Sequence, residues 1–292
     1  MKITFIGLGI MGSRMASHLA KNNVNLTVYN RTTIDNSLFN NKTVIIANSL
    51  QNAVKDADIV FSMLSTPEAV EEVFFGEEST LNSMKKNAIW VDCSTVNPSF
   101  SLRAFQEAKS HNIRFLDAPV AGSKPQAQNA ELVFFVGGKK EVIKEVEPYL
   151  NMMGKKVLSI GEIGKGASFK MLVNIMLAQS MLIFSEAVLL GDKMGISKDY
   201  LLDLLPNLVV SAPFTKFKAE AIKNNNYDVQ FPLEWMHKDL HLATLTAYEE
   251  NQPLYLANLT KELYAEANKS GMGRLDFSAI FKYLEKTDPK NI

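Results

Sequence analysis

Short apolar runs rich in β-branched and aromatic residues recur along the first half of the chain: KITFIG, NLTVYN, TVIIA, DIVFSML, AIWVDCS, IRFLDAP, LVFFVGG and KVLSIG. Longer helix-like segments separate the early runs. That spacing leaves room for crossover helices and predicts a doubly wound, mostly parallel sheet, an α/β domain over residues 1–163. After Gly161 the texture changes to a glycine-rich entry, a long apolar body and a stop at Gly195, which predicts one long helix. Its uncharged run, Met171 to Ser185, contains Asn174, Gln179 and Ser180. The run falls short of the roughly 18 to 20 apolar residues that span a bilayer, so it reads as a buried helix. Beyond it the periodicity is helical, with breaks near Pro206, Pro213, Asn224 to Asn226, Pro232 and Pro253. The expectation for 164–292 is therefore an all-helical domain, joined to the first by the long helix.

Composition narrows the class of partner. Of 292 residues, 47% are apolar and 21% charged, which is ordinary globular usage with room for more than one core. Lys plus Arg and Asp plus Glu both number 31, so the formal net charge is zero. No summed field draws the chain to nucleic acid or an anionic membrane, and a small-molecule partner is expected. A single cysteine, Cys93, leaves no internal disulfide and fits a reducing compartment. The opening MKITFIG reads directly as a strand with no leader ahead of it, so a cytoplasmic location is expected.

The turn after the first strand carries candidate chemistry. Gly7, Leu8, Gly9, Ile10, Met11 and Gly12 form a G-x-G-x-x-G turn between a strand beginning at residue 2 and a helix from Gly12 to Lys21. A second strand then ends at Tyr29. This is the context a Rossmann dinucleotide fingerprint needs. The first glycine allows the tight turn, the second admits a pyrophosphate to the backbone, and the third lets helix pack on strand. At the end of the second strand an NAD site usually places a carboxylate on the ribose hydroxyls, whereas this chain reads Asn30, Arg31, Thr32. A guanidinium there can pair with a 2′-phosphate, and the neutral neighbours do not repel it. The expected cofactor is NADP in preference to NAD.

Lys170 is the last charge before the uncharged run, and Asn174 lies one helical turn on, so both present to one face. An ammonium and an amide converging on one atom suit a carbonyl oxygen that gains negative charge as hydride arrives. Partial burial would bring the lysine pKa toward working pH.

The stretches GLGIMGSRMASHLAKNNVNLTVYNRT, DCST, FLDAPVAGS, GKGASFKMLVN and YDVQFPLEWMHKDLHLA, in this order, resemble the β-hydroxyacid dehydrogenase family across the whole chain. The Asn30-Arg31-Thr32 turn and the FPLxxMxKDL stretch look most like its glyoxylate/succinic semialdehyde reductase branch. The resemblance implies that Lys170 is the general acid in reduction, with Asn174 as its companion. It implies that Thr95 lies near nicotinamide and substrate, and that Leu64 and Ser65 border the cofactor ribose. It also implies that Lys238 approaches the cofactor, that Phe231 and Asp239 border the substrate, and that the protein is a homodimer or homotetramer.

One departure stands in the substrate loop, where the family usually reads D-A-P-V-S-G. Here Asp117 to Gly122 is DAPVAG, so Ala121 replaces a hydroxyl that would meet a substrate carboxylate. Gly122 and Ser123 are the remaining candidates, through backbone N–H groups and a displaced hydroxyl. His237 and His241 are spaced i, i+4 but lack an HExxH context and a third ligand, so no metal site is expected. Cys93 has no activating base nearby in sequence and reads as a small buried residue. The expected activity is NADPH-dependent reduction of a small aldehyde acid to a hydroxy acid. Oxidation of 3-hydroxyisobutyrate or a related β-hydroxy acid is the alternative, followed by a non-catalytic dinucleotide-binding protein.

Overall fold

Residues 1–33, 39, 44–76 and 79–286 are described by the computed structural model of the chain. It divides into two units, Met1–Lys170 and Met171–Ile292. In the first, β1 (Lys2–Ile6), β2 (Asn25–Tyr29), β3 (Val44–Ile46), β4 (Ile59–Ser62), β5 (Ile89–Asp92) and β6 (Arg114–Asp117) run parallel in the order β3-β2-β1-β4-β5-β6. The order reverses between β1 and β4, which makes the carboxyl ends of those strands the switch point where ligands of such sheets bind. β8 (Leu132–Gly137) then adds antiparallel to β6, the two-residue β7 (Val120–Ala121) pairs with β8, and β9 (Gly154–Gly161) runs parallel to it.

The sequence explains the layering. β4 and β5, IVFS and IWVD, are buried at every position, as parallel strands covered on both faces must be. One face packs Phe5, Leu26, Val91 and Phe134 under α1 (Gly12–Lys21) and, further along the sheet, α6 (Lys140–Met153). The other packs Val60, Phe74, Trp90 and Phe115 under α3 (Pro67–Phe75) and α4 (Pro98–Ser110). There the Phe74 and Trp90 rings stack with centroids 3.8 Å apart, and Phe115 meets Trp90 edge-on at 4.8 Å. Two helices begin where capping chemistry predicts. Thr66 accepts a hydrogen bond from Ala69 N at the start of α3, and Ser49 caps the short α2 (Leu50–Val54) from Asn52 N.

The connecting helix runs Lys165–Lys193 and ends at Gly195 in a left-handed conformation, φ 85°. It is less buried than the sequence reading expected. Only 39% of its most apolar window is buried, while Leu172, Met176, Ile183 and Leu190 lie exposed along one stripe. The uncharged run counted from sequence stops at Lys170 and Glu186, but the helix continues past both. By length and composition the full helix is long and apolar enough to cross a membrane. Its opposite face, with Ala178, Met181, Leu182 and Val188, forms part of the helical unit's core.

That unit contains the remaining helices, Lys198–Leu204, Thr215–Lys223, Leu233–Glu249, Tyr255–Ala267 and Ile280–Lys286, closed around Met236, Leu240, Tyr264 and Phe281. Every predicted break falls at a helix boundary. Pro206 sits in a short 3-10 turn, Pro213 precedes Thr215, Asn224 follows Lys223, Pro232 precedes Leu233 and Pro253 precedes Tyr255.

The glycine turn shows which glycines packing requires. A Cβ on Gly12 would lie 1.9 Å from Gly7 O, whereas a Cβ on Gly9 would meet no heavy atom of the described residues within 4 Å. Gly12→Ala must therefore push α1 off β1, with an expected loss of about 1–3 kcal/mol in urea denaturation. Gly9→Ala is expected to stay within about 0.5 kcal/mol of wild type. Equal losses for both would contradict this division.

Candidate active site

The parallel strands release their chains along one edge, and the candidate cofactor residues of the first unit gather there. Gly7 follows β1 with φ 90°, and its N–H donates to Tyr29 O at the end of β2. Asn30 Oδ1 accepts from Leu8 N at 2.9 Å, while its Nδ2 donates to Thr32 Oγ1 at 2.9 Å. Asn30 therefore staples the glycine turn to the second strand rather than projecting away from it. Ser13 Oγ donates to Gly9 O and Arg14 Nη1 to Ile10 O, which fixes the turn from the helix side.

No side chain caps the start of α1 and its first turn carries no acid. The N–H groups of Ser13 and Arg14 donate back to Gly9 O and Met11 O, the positive end of the helix dipole points at the turn, and Gly9 leaves room there for close approach. These features fit a pyrophosphate. Arg31 is exposed, with Nη1 3.9 Å from Glu72 Oε2 on α3, and Thr32 is exposed beside it.

Beyond β4 and β5 a buried polar network holds the next segments. Asp92, the last residue of β5, is 1% exposed. Its Oδ1 accepts from Ser62 Oγ at 2.8 Å and Ser94 N at 3.1 Å, and Trp90 Nε1 donates to Ser62 Oγ. Ser94 Oγ in turn accepts from Leu64 N at 2.9 Å. The Leu64-Ser65 segment and half-buried Thr95 are thus tied to one carboxylate. Burial pushes Asp92 up to about 6, against hydrogen bonds from Ser94 and Ser62 that favour its charged form, and nearby Asp117 adds to the rise. Sequence reading missed Asp92, Ser62 and Ser94. The available signal was an acid at a predicted strand end, DCST, a place where only a paired carboxylate is tolerated.

Asp117 ends β6 in the same way, and the DAPVAG loop continues from it. Gly122 is exposed with φ 112°, a conformation that favours glycine. Ser123 directs both its N–H, at 2.9 Å, and its Oγ, at 3.1 Å, to Gln126 Oε1 at the start of the short helix Lys124–Gln128. Its hydroxyl is thus spent on a helix start, which leaves less to stand in for the residue replaced by Ala121.

Lys170 is 8% exposed, and Asn174, four residues later on the same helix, is 1% exposed. In the helical unit Asn174 Nδ2 donates to Asp239 Oδ2 at 2.5 Å, and Lys238 Nζ lies 2.8 Å from Asp239 Oδ1. Asn174 Oδ1 is buried with no hydrogen-bond partner among the described residues. Phe231, half-buried, has its ring 5.9 Å from Phe277, and the backbone N–H groups of Gln230 and Phe231 donate to Asp276 Oδ2. Asp276 is itself buried and paired with Lys218 at 2.8 Å. Cys93 is fully buried, and burial raises its thiol pKa, the opposite of an activated nucleophile. His237 is half-buried and His241 exposed.

Residues 2–161 match the family model of the NAD-binding domain of 6-phosphogluconate dehydrogenase. Residues 164–284 match the model described as the NAD-binding of NADP-dependent 3-hydroxyisobutyrate dehydrogenase. Glyoxylate/succinic semialdehyde reductase 1 of Arabidopsis thaliana is 32% identical over 285 residues, 98% of this chain and 99% of its own length. The mitochondrial 3-hydroxyisobutyrate dehydrogenase of Mus musculus is 30% identical over 295 residues, 98% and 88% of the two chains. Among solved structures, 3-hydroxyisobutyrate dehydrogenase of Mycobacterium tuberculosis with L-serine superposes with a TM-score of 0.85 at 26% identity, covering 97% and 98%.

The Asp92 network carries a pH signature. The folded-state value of about 6 lies above the ordinary 3.8, so between these values the native state holds a proton that the unfolded chain has released. Asp92 therefore costs little below pH 4 and lowers stability as pH rises from about 4 to 6, by roughly 3 kcal/mol in full, with the loss levelling off above 6. In urea titrations at pH 4, 5.5 and 7, the stability of wild type relative to Asp92→Asn is expected to fall by that order. A difference that stays constant with pH would mean the carboxyl titrates normally.

Proposed function

The chain belongs to the β-hydroxyacid dehydrogenase family of NAD(P)-dependent oxidoreductases, and we propose that within it this protein uses NADPH to reduce a small aldehyde acid to the hydroxy acid. Glyoxylate and succinic semialdehyde are the leading substrates. The observation that carries this reading is Lys170, an ammonium 8% exposed and one helical turn before the buried Asn174. Held that far from water, the ammonium is costly unless it meets a partner charge or dipole. A carbonyl oxygen turning into an alkoxide is a charge that an ammonium in so dry a setting stabilises strongly.

When bound, NADPH supplies the hydride that adds to the carbonyl carbon. Lys170 stabilises the charge growing on the oxygen and gives it a proton, leaving a neutral amine that solvent recharges. Asn174, whose Nδ2 is committed to Asp239, offers its buried Oδ1 toward a donor such as the lysine ammonium or the product hydroxyl. Arg31, with no acid at the end of β2, supports the 2′-phosphate form of the cofactor, and Glu72, 3.9 Å from its guanidinium, opposes this preference.

The reading includes self-association. Phe169, Leu172, Met176, Ile183 and Leu190 are exposed along the connecting helix, more apolar surface than a lone chain ordinarily leaves in water. Light scattering coupled to gel filtration at micromolar protein should give a multiple of 32.5 kDa, and a monomer would exclude this part.

Steady-state kinetics test the chemistry. With NADPH, wild type is expected to turn over glyoxylate or succinic semialdehyde faster than it oxidises 3-hydroxyisobutyrate, and Lys170→Ala to lose about 100- to 10,000-fold in kcat. Arg31→Asp should shift the NADPH to NADH preference by about ten- to hundred-fold, the worth of one charge-assisted hydrogen bond. Full activity in the lysine variant removes the proposed proton donor. A stronger 3-hydroxyisobutyrate oxidation would assign the chain to the dehydrogenase side of the family.

A further inference from the structure

The helix that carries Lys170 is preceded by Gly164, which has no side chain to cap it. Its first turn is held by a carboxylate from a strand about fifty residues earlier in the chain. Asp117 Oδ1 accepts from Gly164 N at 2.8 Å, and Oδ2 accepts from Ala167 N at 2.8 Å. The two oxygens grip N–H groups three residues apart, on either side of the first helical residue, Lys165. A single-point cap leaves a helix free to rotate about the contact, whereas two contacts fix both its rotation and its advance along the axis.

The surroundings leave no slack. A Cβ on Gly166 would lie 2.3 Å from Phe135 O and 2.9 Å from Asp117 Oδ2, and one on Gly137 would lie 2.4 Å from Asp117 Oδ1. The helix start is thus pressed against the sheet edge at two positions that only glycine fits. Asp117 is 1% exposed, so the grip is shielded from competing water. Burial raises its pKa, and the N–H donors of the helix start pull in the opposite direction. Lys170 follows Ala167 by three residues, less than one turn. A small rotation or slide of that turn would swing the lysine side chain by a comparable distance.

We propose that Asp117 is a positioning residue for the reaction: its bidentate hold on Gly164 and Ala167 sets where the ammonium of Lys170 stands. The proposal rests on the reading of Lys170 as proton donor. Asn at position 117 keeps the shape but places an N–H₂ against one of the two N–H donors, so one contact becomes repulsive. Proton transfer depends on geometry at the ångström scale, while the nucleotide turn lies on β1 and β2, away from this grip.

The experiment compares wild type, Asp117→Asn and Asp117→Ser, the serine variant serving if the asparagine variant does not fold. NADPH affinity is read by nucleotide fluorescence, kcat and KM by steady-state assay across pH, and Lys170 accessibility by the rate of amine acylation followed by peptide mass spectrometry. The expected result is a ten- to hundred-fold fall in kcat, NADPH affinity within about twofold of wild type, a displaced pH limb of kcat, and a changed acylation rate at Lys170 but not at the remote Lys2. Variants that lose thermal stability yet keep kcat and Lys170 reactivity would overturn the proposal and leave Asp117 a purely structural cap. Should wild type reduce no aldehyde acid, the functional reading fails on its own, and the Lys170 acylation rate alone then decides: unchanged reactivity in both variants refutes the positioning role, and altered reactivity upholds it.

Discussion

Two carboxylates, Asp92 and Asp117, end adjacent parallel strands in register with each other, and both are withdrawn from water. A buried carboxylate survives only with donors aimed at it, and each of these recruits its donors from whatever must be fixed nearby. Asp92 draws in Ser62, Ser94 and, through Ser94, the Leu64 segment. Asp117 draws in the start of the connecting helix. The electrostatic demand of two acids at a sheet edge thereby becomes a mechanical one, because the loops and the helix cannot drift without leaving a charge unsatisfied. The same demand explains why the edge needs Gly137 and Gly166, where any side chain would displace a carboxylate oxygen or a carbonyl.

The helical unit repeats the device with paired charges. Asp239 sits between Asn174 and Lys238, and Asp276 between Lys218 and the backbone of Gln230 and Phe231. Each acid joins elements distant in sequence, and each is almost wholly buried. Buried pairs of this kind contribute little net stability compared with apolar packing, but they penalise any alternative arrangement heavily. They orient side chains, and the apolar core around Met236, Leu240 and Tyr264 supplies the stability.

Relatives named for glyoxylate, succinic semialdehyde and 3-hydroxyisobutyrate lie at similar identity, so the overall likeness does not choose among small acids. The choice falls to a few side chains. Ala121 stands where the family resemblance expects a substrate-loop hydroxyl, and Ser123, the nearest replacement, is held by Gln126. Under the proposed function a substrate carboxylate would find its donors in the backbone near Gly122 or elsewhere. In the proposed NADPH site the balance is finer, since the Arg31 guanidinium that would meet a 2′-phosphate has Glu72 3.9 Å from it.

Much of this was legible in the residues alone. The strands of the parallel sheet, the glycine turn, the helix stops at Gly195, Pro232 and Pro253, and the pairing of Lys170 with Asn174 along one helix all follow from local rules: periodicity, turn geometry and the spacing of a helical turn. Such rules act over a handful of residues, so one sequence suffices to apply them. The partners of Asn30, the capture of Ser123, the Asn174 to Asp239 bond and the exposed stripe on the connecting helix were decided by tertiary structure. So were the grips of Asp92 and Asp117. A hydrogen bond across thirty to sixty-five residues of chain, such as Ser62 to Asp92 or Asn174 to Asp239, leaves no period in the sequence. Likewise, which face of an apolar helix is covered depends on what packs against it and not on the helix itself.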